Sequence, residues 1–150
     1  MDKSNQVLLE ESIRGDIAQM YAESHTFNGL MKPELIECSY EEKSITAAFP
    51  VMEWQKNRAG YMHGGLIASA FDITMGLLSR GLALQKNAAT IMLDTVFIRQ
   101  IPVGDTFIVK AKANHDGKTL THLYGEGFIK STGKIAATAK CSYYFERKQR

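Results

Sequence analysis

The sequence predicts an α+β fold in which a sheet of five or six antiparallel strands wraps one long helix, with an extra helix at the N-terminus. Three observations carry this reading. Residues 64–85 have the composition of a helix about 30 Å long at 1.5 Å per residue, and they are apolar almost all round, which marks a helix buried on every side. From Ile91 onward the hydrophobic period becomes two and stays there. Hairpin-length turns separate the late strands, which makes them antiparallel neighbours.

Taken in order, residues 5–25 read as an amphipathic helix, with Ile13, Ile17, Met20 and Tyr21 at i, i+4, i+7 and i+8. Asn28-Gly29 and Pro33 mark a loop, so residues 1–30 form a helix-and-loop extension of one domain covering 1–150. Leu35–Tyr40 and Ser44–Phe49 are short strands, the second closed by Pro50. A loop over 51–62 carries Trp54, Asn57 and Gly60 into the long helix. That helix has a bulky stripe (Leu66, Ile67, Ala70, Phe71, Leu77, Leu78) and a stripe of small residues (Gly65, Ala68, Ser69, Gly76, Ser79) interrupted by Asp72. In the next strand Ile91, Leu93, Thr95 and Phe97 alternate with Met92, Asp94, Val96 and Ile98, so both of its faces are largely apolar. Pro102-Val103-Gly104-Asp105 is a turn, and Phe107, Val109, Ala111 and Ala113 line one face of the strand after it. Asp116-Gly117 is a hairpin signal. Residues 119–130 and 135–147 form a last hairpin across Ser131–Lys134. A single sheet covers such an apolar helix only in part, and dimerisation is the usual remedy.

Composition narrows the function. A chain of 150 residues suits a single domain and buries enough surface to need no metal or disulfide staple. With 45% hydrophobic and 23% charged residues it is an ordinary globular chain. A net charge of +2, with Arg147, Lys148 and Arg150 as the one basic cluster, gives no nucleic-acid or membrane surface. The longest charge-free run, residues 59–71, is cut by Asp72, which argues against a bilayer span. Cys38 and Cys141 stand alone in alternating apolar patterns, as reduced and packed cysteines do, and the first six residues lack a signal-peptide layout. Together these give the expectation of a cytoplasmic protein. The four histidines form no ligand cluster, so no metal is expected, and phosphate-loop, nucleophile-elbow and zinc-helix motifs are lacking. Gly125 and Gly127 form a bare GxG within a strand, a sign of packing or a bulge rather than of a nucleotide loop.

The chemistry concentrates in Tyr61-Met62-His63-Gly64-Gly65-Leu66 and Asp72. Two glycines at a buried helix start cost roughly 1 kcal/mol each in propensity. They make sense where backbone N–H groups must meet a ligand closely, and a helix start offers orphan donors for a carbonyl becoming an oxyanion. Asp72 lies two turns on, on Gly65's face, in apolar surroundings that require it to be paired or functional. Oxyanion donors and a carboxylate on one face suffice to hydrolyse an activated acyl group. Each residue also has a bland reading: packing for Gly64-Gly65, an ion pair or cap for Asp72, loop orientation for His63, a turn for Asn57. None of these accounts for the combination.

The pattern Asn57-x2-Gly60-x2-His63-Gly64-Gly65-x6-Asp72 resembles the signature of hotdog-fold thioesterases, in particular the phenylacetate-degradation-type, acyl-CoA thioesterase 13-like group. The similarity runs from about Ile45 to the end and includes Pro102–Asp105 and Gly117-Lys118-Thr119. The resemblance implies the hotdog fold, a helix wrapped by an antiparallel sheet, in a homodimer or a dimer of dimers. It implies an acyl-CoA thioesterase releasing free acid and coenzyme A, with no cofactor because coenzyme A is part of the substrate. In that setting the Gly64 N–H polarises the thioester carbonyl with help from the Asn57 side chain. Asp72, from the other subunit, is general base or nucleophile, and Thr90 positions the water. His63 and Gly65 belong to the substrate-binding segment, with Arg99, Lys118 and Lys134 as candidates for the coenzyme A nucleotide.

Two rival functions fit the same fold: a non-catalytic acyl-CoA or fatty-acyl binding or sensing protein, and a dehydratase or hydratase. The first has no regulatory extension here, and the second calls for a His–carboxylate pair, whereas Asn57, Gly64 and Asp72 suit hydrolysis. Phe71, Met75, Met92 and Phe97 hint at an apolar acyl pocket.

Overall fold

The computed structural model describes residues 3–84 and 87–145. The strand end expected at residues 146 and 147, the basic tail, and the last residue of the long helix at Gln85 lie outside them. The elements are α1 (Asn5–Ala22), α2 (Phe27–Met31), β1 (Glu34–Ser39), β2 (Ser44–Pro50), a 3₁₀ turn (Glu53–Gln55), α3 (Gly64–Ala83), β3 (Ala88–Phe97), β4 (Thr106–Asp116), β5 (Leu120–Ile129) and β6 (Ile135–Phe145). All six strands form one sheet in the order β1-β2-β4-β5-β6-β3, every neighbouring pair antiparallel.

α3 is the core. Phe71, Met75, Leu77 and Leu78 have no exposed surface and pack against the inner faces of β2, β4, β5 and β6. Burying each such side chain contributes about 1.5–3 kcal/mol, which is why the helix can afford so few polar residues. Gly125 and Gly127 are packing glycines: a Cβ on the first would sit 2.5 Å from Met75 Cε, and one on the second 2.2 Å from the Phe107 ring. Phe107 in turn meets Phe71 edge-on, with centroids 5.7 Å apart. By length and composition α3 is apolar enough to cross a membrane, contrary to what Asp72 suggested. Its hydrophobic surface is instead spent on the sheet and on α1.

The N-terminal segment differs from its sequence reading in two ways. α1 buries Leu9, Ile13 and Met20, whereas Tyr21 is 49% exposed. Leu9 and Ile13 close over Gly81 of α3, and Asp16 pairs with Arg80 across the same contact at 2.9 Å. The expected loop at Asn28-Gly29 is the helix α2. Thr26 Oγ1 caps it by accepting from the Gly29 N–H, and Lys32 ends it in the left-handed conformation. Gly29 serves here through its smallness, since a Cβ would lie 2.5 Å from the carbonyl oxygens of Met20 and Glu23.

The hairpins at Asp116-Gly117 and Ser131–Lys134 form where expected. In the Pro102–Asp105 turn Gly104 takes φ +89°, and Asp105 accepts from the N–H groups of Thr106 and Ser131, joining this turn to the β5–β6 turn. β3 is an edge strand, bonded to β6 on one side only. Ile91, Val96 and Phe97 along it are 58%, 56% and 55% exposed, so its apolar faces are left uncovered.

Candidate active site

The loop before α3 is delivered by backbone hydrogen bonds. His63 N–H donates to the Gln55 carbonyl at 2.8 Å, and Met62 N–H donates to that of Ile101 at 2.9 Å. Asn57 Oδ1 accepts from the N–H groups of Ala59 and Tyr61, at 3.0 and 3.1 Å. Asn57 therefore makes the turn with its oxygen. Its amide nitrogen has no acceptor among the described residues and is available as a donor.

His63 is the N-cap of α3, and its Nδ1 accepts from the Gly65 N–H at 2.9 Å. With Nδ1 accepting, the ring can donate only through Nε2. The contact holds the ring against the first turn of α3. The N–H groups of Leu66 and Ile67 donate to the His63 carbonyl. Of the helix-start amides only that of Gly64 lacks an acceptor among the described residues. It stands at the positive end of the helix beneath Phe97: a Cβ on Gly64 would lie 3.2 Å from that ring.

Asp72 is half-buried where α3 meets the β3 edge of the sheet, in line with the half-exposed Ser69 and the exposed Gly65. Its Oδ1 accepts from Thr90 Oγ1 at 2.8 Å and from the Tyr143 hydroxyl at 2.6 Å. Thr90 thus meets the carboxylate directly. Tyr143 was missed by the sequence reading, since a tyrosine in an alternating strand looks like core, and it is indeed 3% exposed. Burial first, then the neighbouring Cys141 and Asp72, hold its phenol far above the ordinary tyrosine value, so it stays a donor. Burial likewise pushes the Cys141 thiol up to about 11, which makes it an inert packed cysteine.

The structure separates two groups of residues. Asn57, His63, Gly64 and Gly65 gather at the start of α3; Asp72, Thr90 and Tyr143 gather farther along. Eight residues of helix put Gly64 and Asp72 about 12 Å apart at 1.5 Å per residue. One chain cannot bring both to a single carbonyl. Arg99, whose guanidinium donates to the Ile135 carbonyl at 2.7 Å, lies beside Lys134 near the Gly64 end of β3. Lys118 is in the β4–β5 turn, at the opposite end of the sheet, so within one chain it shares no site with them. Phe71 and Met75 are sealed in the core. Of the four apolar residues that hinted at an acyl pocket, Phe97 stands at Gly64 and Met92 lies on the open edge strand. A groove of about 960 Å³ between α1, α2 and the end of α3, lined by Asp16, Glu23 and Arg80 among others, includes none of the predicted site residues.

The model of the thioesterase superfamily matches residues 59–136, just over half of the chain and the segment that holds Gly64, Asp72 and Thr90. No curated protein sequence matches. Among solved structures, the Escherichia coli PaaI protein from the phenylacetic acid degradation operon superposes with a TM-score of 0.81 at 16% identity, covering 97% of this chain and 99% of that one. Thioesterase superfamily member 2 from Mus musculus gives 0.77 at 17% identity, over 97% and 100%. The Streptococcus mutans protein smu.793, solved bound to acetyl-CoA, gives 0.67 at 21% identity, over 78% and 92%. At these identities the likeness is one of fold, and the fold is the hotdog.

Proposed function

Because the chain belongs to the thioesterase superfamily, we propose that it is an acyl-CoA thioesterase, hydrolysing an acyl- or aryl-CoA to free acid and coenzyme A in a site shared by two subunits. The observation that carries the reading is the Gly64 N–H, the one helix-start amide left without an acceptor among the described residues. It donates to the thioester oxygen, joined by the Asn57 amide, and the pair stabilises the oxyanion as it forms. The bound acetyl-CoA of the Streptococcus mutans structure supports coenzyme A as the carrier.

The second subunit follows from the 12 Å gap. β3 runs alongside α3, with Phe97 at Gly64 and Thr90 at Asp72. If two β3 edges pair about a twofold axis near Leu93 and Asp94, the Thr90 end of one lies beside the Phe97 end of the other. That places Asp72 of the partner subunit across from Gly64 and covers the apolar edge in the same step. Water then attacks the carbonyl carbon as its proton passes to the carboxylate. The tetrahedral oxyanion collapses, the C–S bond breaks, and the leaving sulfur takes the proton back. The products are the acid and the free thiol, and the chemistry calls for no cofactor.

Two measurements test the reading. A panel of acyl- and aryl-CoA substrates assayed by free-thiol release should give turnover with at least one of them; thioester binding without thiol release would favour a sensor instead. Sedimentation should return a dimer or a dimer of dimers, and an active monomer of 150 residues would overturn the shared site.

A further inference from the structure

We propose that Tyr143 is a positioning residue for this hydrolysis: with Thr90 it ties down Oδ1 of Asp72 and leaves Oδ2 as the one oxygen free to react. The assignment rests on the thioesterase reading for its chemistry and on three observations for its geometry. Both hydroxyls converge on the same atom, Tyr143 at 2.6 Å and Thr90 at 2.8 Å, while Oδ2 has no donor among the described residues. The tyrosine contact is short, and the same hydroxyl also reaches the backbone carbonyl of Asp72 as a second acceptor, so both of its acceptors belong to that one residue. Rotating the carboxylate to exchange its oxygens would break both bonds at once.

The fold builds this arrangement in. Thr90 and Tyr143 are register partners on β3 and β6, so the strand pairing itself sets the spacing of the two donors. Gly76, one turn after Asp72, provides the slot for the phenol: a Cβ there would lie 3.2 Å from the hydroxyl oxygen and 3.4 Å from the ring. A glycine in the middle of a buried helix is unfavourable by roughly 1 kcal/mol relative to alanine. Passage of the tyrosine to the carboxylate explains why it is there.

Tyr143→Phe keeps the ring and removes only the donor. kcat should fall about tenfold with KM within twofold of wild type, because the phenol orients the reacting carboxylate and does not bind the substrate. Gly76→Ala should lower kcat in the same direction while its melting temperature holds. The hold on Oδ1 has a readout apart from activity. In protein carrying ¹³C-labelled aspartate carboxylates, the infrared difference against Asp72→Asn isolates the Asp72 stretches. The separation of the antisymmetric and symmetric bands should narrow in Tyr143→Phe, as the carboxylate becomes more symmetric. A folded Tyr143→Phe enzyme with unchanged kcat and unchanged bands overturns the proposal and leaves the thioesterase reading standing. Failure of the wild type to release thiol from any substrate sinks that reading, and the infrared comparison still decides whether Tyr143 holds Asp72.

Discussion

Asp72→Asn should lower kcat by at least the ~10²-fold typical of losing a general base, with little change in melting temperature. The structure explains why the two effects separate. The asparagine carbonyl oxygen can take the place of Oδ1 and keep accepting from Thr90 and Tyr143. The amide nitrogen falls where Oδ2 was, an atom that no described residue engages. The fold therefore loses no hydrogen bond, and the half-buried position gives up a charge rather than gaining one. What disappears is the only group in the cluster able to take a proton from water, since Thr90 has its proton committed to the carboxylate and Tyr143 is held in its protonated form. Thiol-release kinetics and thermal melting on the same preparation check both halves. An Asp72→Asn enzyme turning over at the wild-type rate removes the carboxylate from the mechanism.

Local patterns carried the architecture, because α3 and the strands are set by periods of 3.6 and 2 and by turns at Asp116-Gly117 and Ser131–Lys134. The site was legible where it is local. His63, Gly64, Gly65 and Asp72 lie within ten residues, and helix geometry alone puts Asp72 on the face of Gly65. Thr90 enters only through the family resemblance, and it does meet Asp72. Tyr143 was not reached, because its partner is 71 residues away and only the β3–β6 pairing brings them together. One signal was available: Tyr143 shares the buried phase of β6 with Ala139 and Cys141, and a buried phenol needs an acceptor. Gly76, grouped with the small-residue stripe, marked where that acceptor lay. α2 was misread because Asn28-Gly29 is a turn signal only when the glycine supplies conformation, and Gly29 supplies space. Lys118 was grouped with Arg99 and Lys134 by charge alone, and charge says nothing about which end of a sheet a turn occupies.

Gly64→Ala should reduce kcat/KM as severely as the loss of Asp72, through geometry rather than charge. A Cβ on Gly64 would fill the space beneath Phe97, next to the free N–H, and so compete with the substrate carbonyl for room there. Removing one oxyanion donor costs about 10²–10³-fold in other hydrolases, and displacing the carbonyl weakens the Asn57 contact as well. Stability should stay near wild type for two opposing reasons. Alanine favours the helix by up to about 1 kcal/mol, while the new Cβ meets the Phe97 ring at 3.2 Å, a contact that an exposed side chain relieves by moving a few tenths of an ångström. Asn57→Ala should give a milder kinetic loss, since the backbone donor remains, with some loss of stability because Oδ1 no longer accepts from Ala59 and Tyr61. A glycine kept for packing alone predicts the reverse order: Gly64→Ala would melt earlier yet keep its activity per folded molecule. Melting temperature and thioester hydrolysis measured on both variants separate the two cases, and a destabilised, fully active Gly64→Ala protein would remove Gly64 from the oxyanion site.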